Sequence, residues 1–299
     1  MVRKGRNLDH PMRLKIFKLT VIAAVIIIIS SFIVIQVVQT SSNSPSMLIN
    51  KIVGNASDPQ VSDQFPGANI STNLWNLESG KGNTTISVYS NNSIHIVSNY
   101  TNVVTKSANV VGYPSARFRY GLPITVSDAI KDNISSTVTF NLANTSDNLP
   151  VDLSYDIMIQ PSKTVFSPLV EIMIYLYYAP YLVNYVYLGQ FKTVSMINET
   201  SVNITWIVEE GKSATNGAPL VRFFPEAQIY SRMSYLLNLS SFISETQSIL
   251  KMNLSTNYIQ QINIGMEFGF SSFSHYSFSL WLSATLFIKG TKVGILRVT

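Results

Sequence analysis

The sequence predicts an all-β protein, a two-sheet jelly-roll sandwich with one short helix, preceded by an N-terminal transmembrane helix. Three observations lead to this prediction. Short segments that alternate between apolar and polar residues recur from residue 72 onward, residues 239–253 have helical spacing instead, and an apolar run without charge fills residues 19–38. Alternation of period two is typical of strands that bury one face, and many such strands separated by turns indicate a sandwich or barrel.

The N-terminal segment has the pattern of a membrane anchor. Residues 1–18 hold six of the 21 basic residues and one acid, and residues 19–38 are long enough to span a hydrocarbon core. The positive-inside rule keeps the basic tail cytoplasmic and places the rest of the chain outside. An uncleaved signal-anchor is favoured over a cleaved signal peptide, because the apolar run is long and no A-x-A site follows it. We therefore expect a single-pass membrane protein with an extracellular domain, or a secreted protein after cleavage.

The chain beyond the tail has no excess of charge. It holds fifteen basic and fifteen acidic residues, which argues against nucleic acid as a partner. Residues 39–63 are rich in Ser, Asn and Pro and are predicted to form a linker, followed by one domain over residues 64–299. Eleven N-x-S/T triplets indicate a glycosylated surface, and the chain has no cysteine. This composition is similar to that of exported proteins of thermoacidophilic archaea.

Eight segments of the domain have the alternation and the β-branched and aromatic content of strands. Residues 239–253 are predicted to be the helix, with Phe242, Ile243 and Ile249 near helical spacing. Trp206 and Trp281 lie within strand patterns and are expected in the core. The predicted strands are 84–90, 93–98, 135–142, 152–160, 170–178, 202–208, 262–270 and 277–288.

Three acids lie within apolar strand patterns, and they are the candidate catalytic residues. Asp156, Glu171 and Glu267 each interrupt such a segment, and a buried carboxylate is costly unless it is paired or its pKa moves. Period two places Glu267 beside glycines, opposite the apolar face of its strand. Two carboxyl groups at a cleft can cleave a glycosidic bond without a metal or a cofactor, and neither is expected here because His and Cys ligand motifs are absent.

An alternative of a different class remains open at this stage. A strand acid is often a solvated residue on the outer face of a sandwich, with no chemical role. A glycan-binding module or a structural protein of the cell envelope would also explain the anchor, the triplets and the aromatic content. Neither of these alternatives explains why the apolar strands at 170–178 and 262–270 contain acids.

Five short sequence motifs resemble those of glycoside hydrolase family 12, the small endo-β-1,4-glucanases, over roughly residues 64–288. V-E-I-M-I-Y at 170–175 is similar to the family's nucleophile strand, E-[IL]-M-I-W. The other motifs follow in the family's order. They are N-L-W at 73–75, G-Y-P-S at 112–115, Y-D at 155–156 and G-M-E at 265–267.

The resemblance implies a jelly roll with a concave cleft and hydrolysis of β-linked polysaccharide with retention of anomeric configuration. By residue, it implies Glu171 as nucleophile, Glu267 as general acid/base and Asp156 as the partner that controls Glu171. The catalytic domain is expected to be monomeric. Tyr175 stands where the family has Trp, and the preference among cellulose, mixed-linkage glucan, xyloglucan and xylan stays open. The residues expected to bind substrate are Asn73, Trp75, Tyr113, Met173 and Tyr175.

Overall fold

The computed structural model describes residues 46–295 except 66–67, 92, 119–120, 144–150, 179–184, 214–215, 228 and 230–231. The basic tail at 1–18, the predicted membrane span at 19–38 and the first part of the predicted linker lie outside the described residues. Among the residues that are described, no helix has the length and apolarity needed to cross a membrane.

The described chain is almost entirely β-structure, as predicted. Its strands are β1 (Leu48–Gly54), β2 (Ser62–Phe65), β3 (Ala68–Ser71), β4 (Leu77–Tyr89), β5 (Ile94–Thr105), β6 (Ser115–Phe118), β7 (Ile124–Thr125), β8 (Ser135–Ala143), β9 (Val151–Gln160), β10 (Val170–Tyr178), β11 (Val186–Ile197), β12 (Thr200–Lys212), β13 (Pro219–Pro225), β14 (Ser234–Asn238), β15 (Tyr258–Phe268), β16 (Phe273–Ile288) and β17 (Thr291–Ile295). Its helices are α1 (Val126–Lys131) and α2 (Leu239–Leu250).

The helix predicted at 239–253 is α2, but the described residues contain a second helix, α1. Helix α1 has six residues, and Thr125 caps it by accepting a hydrogen bond from the Asp128 backbone at 3.0 Å. A helix of this length shows too few turns for its periodicity to be recognised in a sequence.

The predicted linker at 39–63 is wrong in its second half. Strand β1 pairs antiparallel with β4 from Leu48 to Gly54, and β2 pairs with β3. These strands resemble a linker in composition because they are edge strands, which bury few side chains; in β1 only Ile52 and Gly54 are buried. The compact unit that contains them spans Met47–Thr299.

The described strands form one continuous ladder, folded into a sandwich. Pairing is antiparallel except between β10 and β13, which are parallel. Strand β17 extends the ladder at β16, and β7 extends it at β15. The order of the other strands from edge to edge is β1, β4, β5, β16, β8, β14, β11, β12, β13, β10, β9, β15, β6, β3 and β2.

The two halves of the ladder enclose the core. Phe268 of β15 lies 5.3 Å from Phe278 of β16 and 6.1 Å from Tyr100 of β5, measured between ring centroids. On β15, Ile262, Ile264, Met266 and Phe268 point into this core. Because side chains alternate along a strand, the intervening residues of β15 point to the other side of the sheet. That other side is where the acids lie.

Candidate active site

A cleft of about 380 Å³ opens on the side of β9, β10 and β15 that faces away from the core. All three acids predicted from the sequence line this cleft. The lining residues are Asn73, Trp75, Tyr113, Arg117, Asp156, Met158, Phe166, Glu171, Met173, Gln261, Asn263 and Glu267.

Strand β9 lies between the strands that hold the two glutamates. On one side β9 pairs with β10, where Asp156 is opposite Met173 and diagonal to Glu171. On the other side β9 pairs with β15, where Asp152 is directly opposite Glu267. Asp152 and Asp156 are four residues apart, so the alternation of the strand directs both to the same side. All ten residues of β9 are buried, which brings two aspartates into a region of low polarity.

At the β10 side, Glu171 and Asp156 form a carboxyl pair. Burial, followed by the charge of Glu171, raises the pKa of Asp156 well above its usual range, while Asn263 and Arg117 oppose that shift. Burial also raises the pKa of Glu171, and a hydrogen bond from Ser213 lowers it. Asp156 Oδ1 and Glu171 Oε2 are buried without a hydrogen-bond partner among the described residues. The pKa of Asp156 is raised further than that of Glu171, because Asp156 also feels the charge of Glu171, so Glu171 is the easier of the two to ionise.

A polar chain supports Asp156 from the neighbouring strands. Asn263 Nδ2 donates to Asp156 Oδ2 at 3.2 Å, and Arg117 Nε donates to Asn263 Oδ1 at 3.2 Å. Arg117 of β6 is opposite Asn263 of β15 in the sheet, so the register of β6 and β15 aligns these groups. The guanidinium thus acts on Asp156 through the Asn263 amide and through its own charge.

At the β15 side, Glu267 hydrogen-bonds to the carboxyl group of Asp152. Burial raises the pKa of Glu267 well above its usual range, and the charge of Asp152 and this hydrogen bond add to the shift. Arg222 acts in the opposite direction, and the charge of Glu171 raises the pKa of Glu267 further. The two glutamates are therefore close enough for one to influence the ionisation of the other.

Arg222 of β13 lies beneath the cleft and is 2% exposed. Three aromatic rings surround its guanidinium carbon, those of Tyr185 at 3.8 Å, Phe224 at 4.5 Å and Tyr175 at 4.8 Å from the ring centroids. Its Nε donates to the Tyr175 hydroxyl at 3.0 Å. A buried cation is costly unless its charge is compensated, and the carboxyl pair of Glu267 and Asp152 provides that compensation.

The loop before β4 forms one wall of the cleft. Asn73 adopts a left-handed backbone conformation with φ 42°, and its carbonyl accepts a hydrogen bond from the Tyr113 backbone at 3.0 Å. Gly112 allows this approach, because a Cβ there would collide with the Asn73 carbonyl. The loop directs Trp75 to the cleft, where the half-buried ring remains accessible.

Tyr113 connects this wall to the cleft floor. Its hydroxyl donates to the Ser154 carbonyl of β9 at 2.7 Å. Burial, followed by the charge of Asp156, raises the pKa of the phenol well above its usual range, so that Tyr113 stays neutral. It is therefore a fixed hydrogen-bonding group in the cleft rather than an acid or a base.

Of the residues expected to bind substrate, Asn73, Trp75, Tyr113 and Met173 line the cleft, whereas Tyr175 does not. Tyr175 shares the alternating face of Glu171 and Met173, but it is 1% exposed because Phe224 stacks on its ring at 4.3 Å. Its hydroxyl donates to the Met173 sulfur at 3.2 Å, which places Tyr175 beneath the floor of the cleft.

The structure adds residues that the sequence analysis missed. Gln261 lines the cleft, and Ser213, just after β12, and Arg222 of β13 act on the carboxyl groups. Asp152 was overlooked although it lies in the same strand pattern as Asp156. Because the two acids are four residues apart, an even spacing, they lie on the same face of the strand. This spacing could have identified Asp152 as a further residue of the site.

The fold and the cleft define a glycoside hydrolase built on a β-sandwich, with carboxyl groups on the floor of the cleft. The sequence profile of glycosyl hydrolase family 12 matches residues 66–284, so the chain belongs to that family, and the resemblance seen in the motifs is confirmed. No curated protein sequence matches the chain.

Solved structures of family 12 enzymes share this fold. Endoglucanase 3 of Trichoderma harzianum superimposes with a TM-score of 0.61 at 18% identity, over 80% of this chain and 98% of that one. A family 12 xyloglucanase of Bacillus licheniformis gives 0.61 at 16% identity, over 80% and 100% of the two chains. Cel12A of Humicola grisea, solved with a thio cellotetraose, gives 0.57 at 15% identity, over 80% and 99%.

Proposed function

We propose that the protein is a retaining endo-β-1,4-glucanase, in which Glu171 is the nucleophile, Glu267 is the general acid/base and Asp156 assists Glu171. The observation that supports this most strongly is the difference between the two glutamates, which line one cleft. Glu171 receives a hydrogen bond from Ser213, whereas Glu267 shares one with another carboxyl group. A double-displacement reaction needs this difference, since one acid must start ionised and the other protonated.

In the first step, the Glu171 carboxylate attacks the anomeric carbon while Glu267 gives its proton to the leaving glycosidic oxygen. The bond from carbon to that oxygen breaks as the bond to Glu171 forms. In the second step, Glu267, now a carboxylate, takes a proton from water, and the resulting hydroxide displaces Glu171. Two inversions at the anomeric carbon give net retention, and both carboxyl groups return to their starting states.

The substrate proposed is a β-1,4-linked glucan. Trp75 presents a flat apolar ring to the cleft, which suits the apolar face of a pyranose, and Asn73, Gln261 and Asn263 offer amide groups to its hydroxyls. The family 12 structures that share the fold are described as endoglucanases and xyloglucanases. Accordingly, unbranched β-glucan and xyloglucan are the first substrates to compare.

The test is hydrolysis of carboxymethyl cellulose, mixed-linkage glucan and xyloglucan, measured by release of reducing ends. Glu171→Gln and Glu267→Gln should abolish hydrolysis, because each keeps the shape of the side chain and removes its charge or its proton. Glu78→Gln is the matched control, since Glu78 is an exposed glutamate of strand β4. Turnover by either cleft variant would refute the assignment, and binding without cleavage by the unmodified protein would favour a glycan-binding module.

We also propose that residues 19–38 anchor the protein, with the catalytic domain outside the cell. The support is the charge-free run behind the basic tail. The protein expressed in full should stay with membranes after extraction at alkaline pH, and a variant lacking residues 1–45 should be released. Recovery of the protein in the soluble fraction would contradict the anchor, and a soluble product shortened at its N-terminus would support secretion after cleavage.

A further inference from the structure

Asp152 is a buried acid that the proposed mechanism does not use. It is fully buried, and the register of β9 and β15 places it directly opposite Glu267. Cross-strand neighbours on the same face have Cβ atoms about 5 Å apart, so their carboxyl groups meet. The side chains are joined by a hydrogen bond, and two carboxyl groups can share one only if one of them is protonated.

The surroundings of Asp152 keep this pair in place. Ser154 Oγ donates to Asp152 Oδ1 at 3.3 Å along the same strand. Among the described residues, the other charged or titratable groups that act on Glu267 or Asp152 include Arg222 of β13, Glu171 of β10, Tyr113 before β6, Tyr185 before β11 and Tyr276 of β16. Arg222 is the only cation in this set. A pair with one proton carries a single negative charge, which the single positive charge of Arg222 balances.

We propose that Asp152 is a positioning residue for the general acid, and that it holds Glu267 in a carboxyl pair with one proton, facing Arg222. This inference rests on the proposed function of Glu267. The negative charge of Asp152 disfavours a second negative charge on Glu267, so Glu267 keeps its proton at a pH at which Glu171 has already lost its own.

The proton balance of the reaction follows from this pair. When Glu267 protonates the leaving oxygen, the pair becomes a dianion, and Arg222 offsets one of its two charges. Repulsion between the two carboxylates then makes Glu267 a stronger base, so that it takes a proton from the attacking water in the second step. The pair thus returns to its state with one proton as the hydroxide releases Glu171. No further reactant is needed.

The experiment compares kcat/KM against pH for the full chain, Asp152→Asn and Asp156→Asn. The substrates are a soluble β-glucan, which needs a protonated leaving group, and a dinitrophenyl β-cellobioside, which does not. In Asp152→Asn, the alkaline limb of the pH profile of kcat/KM on β-glucan should move to lower pH by about one unit, because Glu267 loses the nearby negative charge of Asp152. Above that limb, activity on β-glucan should fall about tenfold, with a change of less than about twofold on the aryl glycoside.

Asp156→Asn is the matched control, because it makes the same substitution on the same face of β9, and Asp156 is not among the groups that act on Glu267. Its alkaline limb should stay in place. An unshifted alkaline limb in Asp152→Asn, or an equal loss on both substrates, would overturn the proposal and leave Asp152 with a structural role only.

A second measurement applies if Asp152→Asn fails to fold. The infrared band of a protonated carboxyl group is followed against pH as the difference between the unmodified protein and Glu267→Gln, so that the contribution of Asp156, whose pKa is also raised, cancels. The remaining band should titrate with the alkaline limb of the pH profile. Absence of such a band near neutral pH overturns the proposal. If the protein cleaves no β-glycan, the proposed function fails, and the infrared titration still decides whether the pair holds a proton.

Discussion

The two carboxyl pairs of the cleft each include an aspartate of β9, but their glutamates differ in how readily they ionise. Asp156 and Asp152 lie four residues apart on β9, and each accompanies a glutamate of a neighbouring strand. Burial raises the pKa of both glutamates. The pairs differ in the hydrogen-bond partner of each glutamate, which is the Ser213 hydroxyl for Glu171 and the Asp152 carboxyl group for Glu267.

Burial alone therefore does not determine which glutamate is the general acid and which is the nucleophile, because it raises the pKa of both. A hydroxyl donor stabilises a carboxylate, whereas a neighbouring carboxylate that accepts a hydrogen bond stabilises the protonated form. The two pairs also differ in how an arginine acts on them. Arg222 acts on Glu267 as a buried cation, whereas Arg117 reaches Asp156 through the Asn263 amide. The partner of each glutamate thus separates two otherwise similar acids.

The largest effect should come from removing each glutamate entirely. Glu267→Ala should lose about 10² to 10⁴ in activity on β-glucan, the usual contribution of a general acid. Added azide should restore turnover of a dinitrophenyl glycoside in both alanine variants. The product should be an α-glycosyl azide in Glu171→Ala, where azide replaces the nucleophile, and a β-glycosyl azide in Glu267→Ala, where azide opens the glycosyl-enzyme.

The anomer of the azide product, read by NMR, is the decisive measurement. Glu78→Ala, at an exposed position of β4, should keep full activity and form no azide product beyond the background. Products of the opposite configuration would exchange the roles of the two glutamates and reverse the comparison between the pairs.

The next effect concerns the cation at the Glu267 pair. Arg222→Met should destabilise the protein by about 3 to 5 kcal/mol in urea denaturation, because it leaves a buried negative charge without its counterion. Asp152→Asn combined with Arg222→Met should cost less than the sum of the two, with an interaction energy of about 0.5 to 3 kcal/mol. Arg117→Met, which removes an exposed arginine of the same cleft, is the control and should cost less than about 1 kcal/mol. Strictly additive costs at Arg222 and Asp152 would show that the two charges do not interact.

A smaller effect is expected in the pH dependence of stability. Because the pKa of Glu267 is raised in the folded protein, the folded state binds more protons than the unfolded state between the two pKa values. Stability should therefore fall as the pH rises from about 4.3, the unfolded value, through the raised value of the folded state. Urea denaturation across that window should give a shallower fall for Glu267→Gln, which cannot titrate. Equal slopes would mean that Glu267 titrates alike in both states.

Much of this arrangement could be predicted from alternation along the strands. The bounds of β10 match the predicted strand 170–178, and Glu171 and Glu267 line one cleft as their faces required. Alternation reports only which side of a sheet a residue faces. It could not show that Tyr175 is covered by Phe224, nor that Ser213 and Arg222 approach the carboxyl groups from parts of the chain distant in the sequence.

The tryptophans show the same limit. Trp206 is fully buried, as predicted, and its indole donates to Thr193 at 2.8 Å. Trp281 was expected in the core, but it is 37% exposed on the outer face of β16, where it stacks on His95 at 4.1 Å. Along β16, residues such as Leu280 and Leu282 point inward, so strict alternation directs Trp281 outward despite its apolar ring.

The smallest expected effect is the most specific for the Glu171 pair. Ser213→Ala removes the hydroxyl that lowers the pKa of Glu171, so that pKa should rise and the acid limb of kcat/KM should move to higher pH by about one unit or less. The alkaline limb should stay in place, since Ser213 is not among the groups acting on Glu267. Ser195→Ala is the control, because Ser195 Oγ is buried on β11 without a hydrogen-bond partner among the described residues. If Ser213→Ala moved the alkaline limb instead, the hydroxyl would belong to the acid, and the division between the two pairs would have to be drawn differently.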